Sequence, residues 1–171
     1  QHFNVVVDAS AFLGAGAFGF VFCVRRKADN KDLALKVSLK NERLDSVNRL
    51  ALEEKKMRQA GEICPDFVMG VEDNGFKVFD SGAALLLSCV GEHYSKLNTE
   101  EIISSLKSLH AKDILHGDAR LDNVVCVNGL PVWIDFADSA IYCEPLSKAS
   151  ELNKLINHVK ERQNDGHAGS V

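Results

Sequence analysis

The chain has 171 residues, which suits one domain or two small lobes sharing a cleft, and 46% of them are hydrophobic, enough for a core. The formal net charge is -4 and no basic run occurs, which excludes a nucleic-acid binder driven by bulk electrostatics. No apolar stretch is long enough for a membrane span, and no signal-peptide pattern opens the chain. The first residue is Gln rather than Met, which indicates an excised domain.

The cysteines are odd in number and lack the C-x-x-C grouping of zinc sites. This pattern predicts free thiols in a reducing, intracellular compartment and no His/Cys metal site. The cysteines are Cys23, Cys64, Cys89, Cys126 and Cys143.

The first forty residues predict an antiparallel sheet from the segments FNVVVD, FGFVFCVRR and DLALKVSL, with a turn at residues 28–31. A helical period follows over residues 41–60, with a stripe of Leu44, Val47, Leu50, Ala51 and Met57 at about 100° per residue. On this phase Glu54 lies near the centre of the stripe and Glu53 points away from it. Because a buried carboxylate is costly without a cation, Glu54 requires a partner.

The remaining elements are two strand segments, a helix, a hairpin and a last helix. FKVFDSG and AALLLSCVG come first, and Asn98 or Thr99 then caps the helix NTEEIISSLKSLHAK. Asn128-Gly129 predicts the hairpin between VVCV and LPVWID, and an amphipathic helix follows over residues 146–162. The order predicts an α+β fold of two lobes, residues 1–90 and 91–163, with a flexible tail over 164–171.

Three glycines, Gly14, Gly16 and Gly19, form the pattern G-x-G-x-x-G-x-V. Glycines allow a turn to approach phosphate oxygens and to present backbone N–H groups to them. The alternative is an ordinary tight turn. A Rossmann interpretation fails because a strand rather than a helix follows the glycines.

Lys36 lies inside the apolar strand segment LALKV. An isolated strand lysine is more often an edge or solvent-facing residue. Since Glu54 requires a cation, we expect a Lys36–Glu54 pair that satisfies both charges and directs the ammonium toward phosphates.

The polar loop HGDARLDN carries Asp118 and Asn123, and Asp135 follows after the hairpin. Two carboxylates and an amide together can hold magnesium on a nucleotide and orient an acceptor hydroxyl. The alternative is that these residues only cap backbone groups in turns.

Over residues 8–136 the combined motifs resemble the protein-kinase-like superfamily. The resemblance implies binding of ATP and Mg²⁺ beneath the glycine loop, with Lys36 on the α- and β-phosphates and Glu54 holding Lys36. It implies Asp118 as the catalytic base with Arg120 beside it, and Asn123 and Asp135 as magnesium ligands. The implied adenine pocket and hinge positions are Val21, Ala34, Leu87 and Val125, with Ser88 to Val90 as the hinge.

The chain also departs from the protein-kinase pattern. His-Gly-Asp replaces His-Arg-Asp, so switching by phosphorylation of residues 137–150 is not expected. Asp-Phe-Ala replaces Asp-Phe-Gly, and no Ala-Pro-Glu motif follows. The C-terminal lobe is therefore much reduced. The segment LLLSCVG together with His-Gly-Asp-x-Arg-x-x-Asn resembles Crinkler-type effectors, which implies delivery into a host cell or its nucleus.

These patterns predict a phosphotransferase that acts on protein Ser/Thr or on itself. A small-molecule kinase of the aminoglycoside or choline phosphotransferase type and a nucleotide-binding pseudokinase scaffold are the alternatives. A protein substrate is the expected partner, with no nucleic acid and no membrane.

Overall fold

The structure is a computed structural model. It describes residues 3–16, 19–40 and 45–167, with the side chains of all of these except 7–10 and 163–167. The fold is α+β, as predicted, with a mainly antiparallel β content and, among the described residues, three α-helices. The chain divides into two compact units. Unit 1 comprises Gln1–Gln59 with Met69–Val90, and unit 2 comprises Ala60–Val68 with Gly91–Val171.

Unit 1 is built on one five-stranded antiparallel sheet with the order β1-β2-β3-β5-β4. Its core cluster contains Val24, Leu33, Leu35, Ala84 and Leu86, with Phe22 and Val37 packed against it. Strand β5 lies between β3 and β4, and all of its residues are buried, in keeping with a sequence that is apolar throughout. The strands are β1 (Val5–Gly16), β2 (Gly19–Arg26), β3 (Asp32–Leu39), β4 (Val71–Phe79) and β5 (Gly82–Leu87).

Helix α1 (Ser46–Ile63) begins after Asp45, whose carbonyl oxygen accepts a hydrogen bond from the Arg49 N–H at 2.9 Å. The predicted helix began at residue 41, but residues 41–44, including Leu44 of the predicted stripe, lie outside the described residues. The helix buries Leu50, Met57 and Ala60, and Glu53 lies in the same row. These positions are separated by three, four and three residues, which is the spacing of one helix face.

Unit 2 contains two helices and short strands. Asn98 caps α2 with a complete capping box, in which the Glu101 side chain accepts from the Asn98 N–H. Asn128 and Gly129 have φ of 52° and 80°, the conformation that a two-residue hairpin requires, so this predicted hairpin is confirmed. The elements are β6 (Glu92–His93), α2 (Thr99–Ala111), β7 (Ile114–Leu115), β8 (Val124–Val127), β9 (Leu130–Trp133), β10 (Ala140–Ile141) and α3 (Pro145–His167).

The core of unit 2 lies where α2 and α3 pack against each other and β9 covers α2. Leu106, Leu109, Trp133, Phe136 and Leu155 are each fully buried there. Helix α3 continues to His167, beyond the predicted end at residue 162, and only residues 168–171 of the predicted tail lie outside the described part of the chain.

The five cysteines are free thiols, as the sequence predicted, and burial raises the pKa of both the Cys64 and the Cys89 thiol. None of the helices in the described part of the chain has the length and apolar content that crossing a bilayer requires.

Candidate active site

The glycine motif forms the hairpin between β1 and β2, in which Gly14 pairs with Val21 and Gly16 with Gly19. A side chain at Gly19 would place its Cβ 2.1 Å from the Val37 carbonyl oxygen, so only glycine fits there. A Cβ at Gly14 or Gly16 would meet none of the described atoms within 4 Å. Crowding by the described atoms therefore explains the need for glycine only at position 19. Beside Gly14 and Gly16 the described atoms leave open space. Ala17 and Phe18 of the motif lie outside the described residues.

The Lys36 side chain forms a buried ion pair, but its partner is Glu53 and not Glu54. Lys36 Nζ lies 2.6 Å from Glu53 Oε2, and the side chains are 17% and 3% exposed. Glu54 pairs with Arg58, one turn along the same helix, in a half-buried contact. The prediction of Glu54 as the partner of Lys36 was wrong.

The error lies in the phase of the helix. The predicted stripe included Val47 and Ala51, which are half-buried, and Leu44 outside the described residues, and together they rotated its centre toward Glu54. The buried row has Leu50 three residues before Glu53 and Met57 four residues after it. That spacing is present in the sequence and could have identified Glu53 in place of Glu54.

The residues of unit 1 that were predicted to line an adenine pocket lie on neighbouring strands of the sheet. Ala34 on β3 is directly opposite Leu87 on β5, and both are buried. Val21 on β2 is opposite Lys36. At the end of β5 the Ser88 N–H donates to the Gly70 carbonyl oxygen at 2.9 Å. The backbone N–H of this predicted hinge residue therefore already has a hydrogen-bond acceptor within the protein.

In unit 2, Val125 lies on β8, where its side chain covers Gly91: a Cβ at Gly91 would lie 2.5 Å from Val125 Cβ. Val90, the last residue of the predicted hinge, is also the last residue of unit 1.

Asp118 and Asn123 are joined directly within the loop of unit 2. Asn123 Nδ2 donates to the Asp118 backbone oxygen at 2.8 Å and to Asp118 Oδ2 at 2.9 Å. Arg120 Nε lies 3.1 Å from the same carboxylate oxygen, and the Asp118 side chain is 41% exposed. One carboxylate oxygen is therefore held by a hydrogen bond from Asn123 and an ion pair with Arg120, while the side chain keeps contact with solvent.

Asp135 lies beside this loop because the Ile134 N–H donates to the Asn123 carbonyl oxygen at 3.0 Å. The backbone of Asp135 has φ 63° and ψ 61°, the left-handed conformation that costs energy for a residue other than glycine. Phe136 and Ala137, which follow it, are fully buried and hold this backbone in place. Backbone strain of this kind concentrates at functional sites.

The buried ring of His116 is hydrogen-bonded to the loop and to the residue before Asp135. Its Nε2 donates to the Ile134 carbonyl oxygen at 2.9 Å, and its Nδ1 accepts from the Asp118 N–H at 3.3 Å. The ring packs between Trp133 and Phe136, with centroids at 5.0 and 4.6 Å. Burial lowers the pKa of His116, against a smaller opposing effect of the hydrogen bond to Ile134, so the ring is neutral.

Gly117 stands where protein kinases have an arginine, and the structure gives a reason for the glycine. Its φ is 88°, and a Cβ on this residue would lie 2.1 Å from the Asp138 carbonyl oxygen. Any side chain would therefore displace either the loop or the segment after Asp135.

Glu151 on α3 holds the same loop and was missed in the sequence. Its Oε1 accepts from the Gly117 N–H at 2.6 Å, and its Oε2 accepts from the His116 N–H at 3.2 Å and lies 2.8 Å from His110 Nε2. Burial raises the pKa of Glu151, but the hydrogen bonds with His110 and with the two backbone N–H groups outweigh burial and leave the pKa lowered.

The spacing of Glu151 in the sequence could have identified it. Glu151 precedes the buried Leu155 and Val159 at intervals of four residues, so it is a carboxylate on the inner stripe of a helix. Because a buried carboxylate is costly when it is unpaired, such a residue requires hydrogen-bond donors or a cation, as the buried glutamate of α1 does.

The residues of unit 2 suit magnesium held largely by a nucleotide. Asn123 uses the donor end of its amide on Asp118, so its oxygen is the end that can bind a cation. Among the described residues no group of three or more His, Cys, Asp or Glu side chains is arranged to hold a metal. Mg²⁺ is commonly bound through only one or two protein ligands plus phosphates, so Asn123 and Asp135 fit it in the presence of a nucleotide.

Comparison with known proteins finds similarity to a kinase. No protein-family model matches the chain. The chain is similar to the membrane-associated tyrosine- and threonine-specific cdc2-inhibitory kinase of Drosophila melanogaster, with 30% identity over 136 residues. The match covers 73% of the chain, which spans 26% of that relative's length. This similarity indicates a kinase-like relationship and lends no support to the narrower resemblance to Crinkler-type effectors.

Proposed function

We propose that the chain binds ATP with Mg²⁺ and transfers the γ-phosphoryl group to a Ser or Thr hydroxyl of a protein. The observation that carries this proposal is the loop of unit 2, where Asp118, Asn123 and Asp135 are brought together and held by His116 and Glu151. A chain that used these residues only as turn caps would not need two buried side chains beneath them.

The nucleotide-binding residues of unit 1 support the same function. Lys36 keeps its ammonium in the sheet by pairing with the buried Glu53, as a lysine that contacts the α- and β-phosphates requires. The β1–β2 hairpin offers the glycines of a phosphate-covering loop. The similarity to a tyrosine- and threonine-specific kinase agrees with this reading.

The residues have distinct tasks in the proposed reaction. The acceptor O–H gives its proton to the Asp118 carboxylate, the acceptor oxygen forms the bond to the γ-phosphorus, and the bond to the bridging oxygen of ADP breaks. Asn123 and Asp135 would hold Mg²⁺, which would neutralise part of the charge of the phosphates. Arg120 keeps the Asp118 carboxylate oriented at 3.1 Å.

The test compares Asp118→Asn, Asp135→Asn and the control Asp122→Asn. Asp122 lies in the same loop, but its side chain is half exposed and forms an exposed ion pair with Arg162 at 3.5 Å. Transfer from labelled ATP is measured with protein and small-alcohol acceptors, and Mg-ATP binding by calorimetry.

We expect Asp118→Asn to reduce transfer by about 10²–10⁴ with nucleotide affinity retained. Asp135→Asn should weaken the magnesium-dependent binding, and Asp122→Asn should resemble the wild type. A wild type that binds Mg-ATP but labels no acceptor above the Asp118→Asn level is a pseudokinase. A wild type that labels only small alcohols is a small-molecule kinase.

A further inference from the structure

A surface groove of about 780 Å³ lies beside the catalytic loop, entirely within unit 2. One wall is formed by the loop residues Gly117, Asp118, Ala119 and Arg120, and the other by a face of α3. The groove therefore brings the proposed catalytic base and a long helix surface into one concavity.

The length of this groove suits an extended polypeptide. The α3 residues that line it run from Leu146 to Glu161, 15 positions that span about 22 Å at 1.5 Å per residue. An extended peptide covers that length with about seven residues. A small alcohol would occupy only a fraction of it.

Most charged side chains in the groove are already paired. Asp118 pairs with Arg120, and Glu151 pairs with His110 and accepts from the loop. Among the described lining residues, Lys154 and Glu161 are the two charged side chains without an ion pair, and both are exposed.

Lys154 and Asp118 both line the groove. Glu151 contacts Gly117, and His158 Nδ1 accepts from the Leu121 N–H at 3.4 Å, so α3 runs alongside the loop in the same direction. Lys154 lies between these two contacts on the helix, as Asp118 lies between them on the loop. Glu161 lies two turns farther, about 10 Å along the axis.

We propose that this groove binds an extended Ser/Thr-containing segment of a protein substrate, with Lys154 selecting an acidic residue beside the acceptor hydroxyl. Glu161 then favours a basic residue about three positions away, because 10 Å corresponds to three residues of extended chain. The inference rests on the proposed function for the role of the groove, but it can be tested by binding alone.

The test uses two fluorescently labelled eight-residue peptides, one with Asp and Glu flanking a central Ser and one with Lys in those positions. Their binding to wild type and Lys154→Glu is followed by fluorescence anisotropy. Lys160→Glu is the matched control, since Lys160 is an exposed lysine of the same helix that does not line the groove.

The wild type should bind the acidic peptide about fivefold more tightly, the factor that an exposed ion pair can supply, and high salt should remove the difference. Lys154→Glu should reverse the preference, and Lys160→Glu should retain it. Equal affinities in the wild type, or equal effects of the two substitutions, would overturn the inference. So would a Lys154→Glu variant that loses Mg-ATP affinity and keeps the peptide preference.

Phosphate transfer to the same Ser peptides separates this inference from the proposed function. Charge-dependent binding without transfer supports the groove and overturns the kinase proposal. Transfer that shows no dependence on Lys154 supports the kinase and overturns the groove.

Discussion

The Lys36–Glu53 ion pair can be tested by removing its cation. In Lys36→Met the apolar stem is largely kept, while the Glu53 carboxylate, whose side chain is 3% exposed, loses the Lys36 ammonium that lies 2.6 Å away. Removing one partner of a buried pair typically costs about 3–5 kcal/mol. Because the Lys36 side chain is 17% exposed, we expect the lower end, about 3 kcal/mol of unfolding free energy.

The double variant Lys36→Met/Glu53→Gln removes both charges and should recover part of that loss, with a coupling free energy of about 2 kcal/mol. Glu54→Gln is the matched control, one residue away on the same helix. Its pair with Arg58 is a half-buried i, i+4 contact, and Arg58 also donates to the Glu72 carbonyl oxygen, so this substitution should cost less, about 0.5–1 kcal/mol.

Urea unfolding followed by far-UV circular dichroism measures these free energies, and calorimetry measures Mg-ATP affinity on the same samples. Lys36→Met should lose nucleotide affinity as well as stability, and Glu54→Gln should keep its nucleotide affinity and most of its stability. Additive effects of Lys36→Met and Glu53→Gln, or a Glu54→Gln variant as unstable as Lys36→Met, would refute the reasoning.

Three further predictions concern the support of the catalytic loop. Gly117→Ala should cost at least about 2 kcal/mol of stability, because its Cβ meets the Asp138 oxygen, whereas Gly129→Ala, with a similar φ but open space, should cost about 1 kcal/mol in the same urea assay. Because burial lowers the pKa of His116 in the folded protein, the unfolded chain takes up a proton at a higher pH than the folded chain does. The free energy of unfolding should therefore fall as the pH drops below about 6.5, by up to about 1.4 kcal/mol per pH unit. A His116→Gln variant with the same pH dependence would contradict this. Glu151→Gln should slow phosphate transfer in the labelled-ATP assay with Mg-ATP affinity unchanged, since the loop loses a charged acceptor; unaltered turnover would remove Glu151 as a positioning residue.

Several features followed from residues that are close in sequence. The hairpin at Asn128 and Gly129 and the cap at Asn98 depend on backbone conformations and hydrogen bonds within a few residues, so the local sequence specifies them. The spacing of Asp118 and Asn123 likewise predicted two side chains that the structure joins by a hydrogen bond.

The buried face of α1 was decided by its packing within unit 1, where Glu53 meets Lys36 of the sheet, and not by the helix alone. Apolar residues surround both glutamates, and a shift of one residue rotates the stripe by about 100°. Where the helix begins, and which row meets the sheet, fixes Glu53 rather than Glu54 against Lys36.

The support of the catalytic loop depends on contacts between residues that are distant in the sequence. Glu151 reaches the N–H of Gly117 across 34 positions, and the Gly117 backbone is crowded by the oxygen of Asp138. The sequence determined which residue types carry the chemistry and in what order. The tertiary structure decided which of them meet, because the cost of burying a carboxylate or a backbone N–H depends on partners that only folding brings within hydrogen-bonding distance.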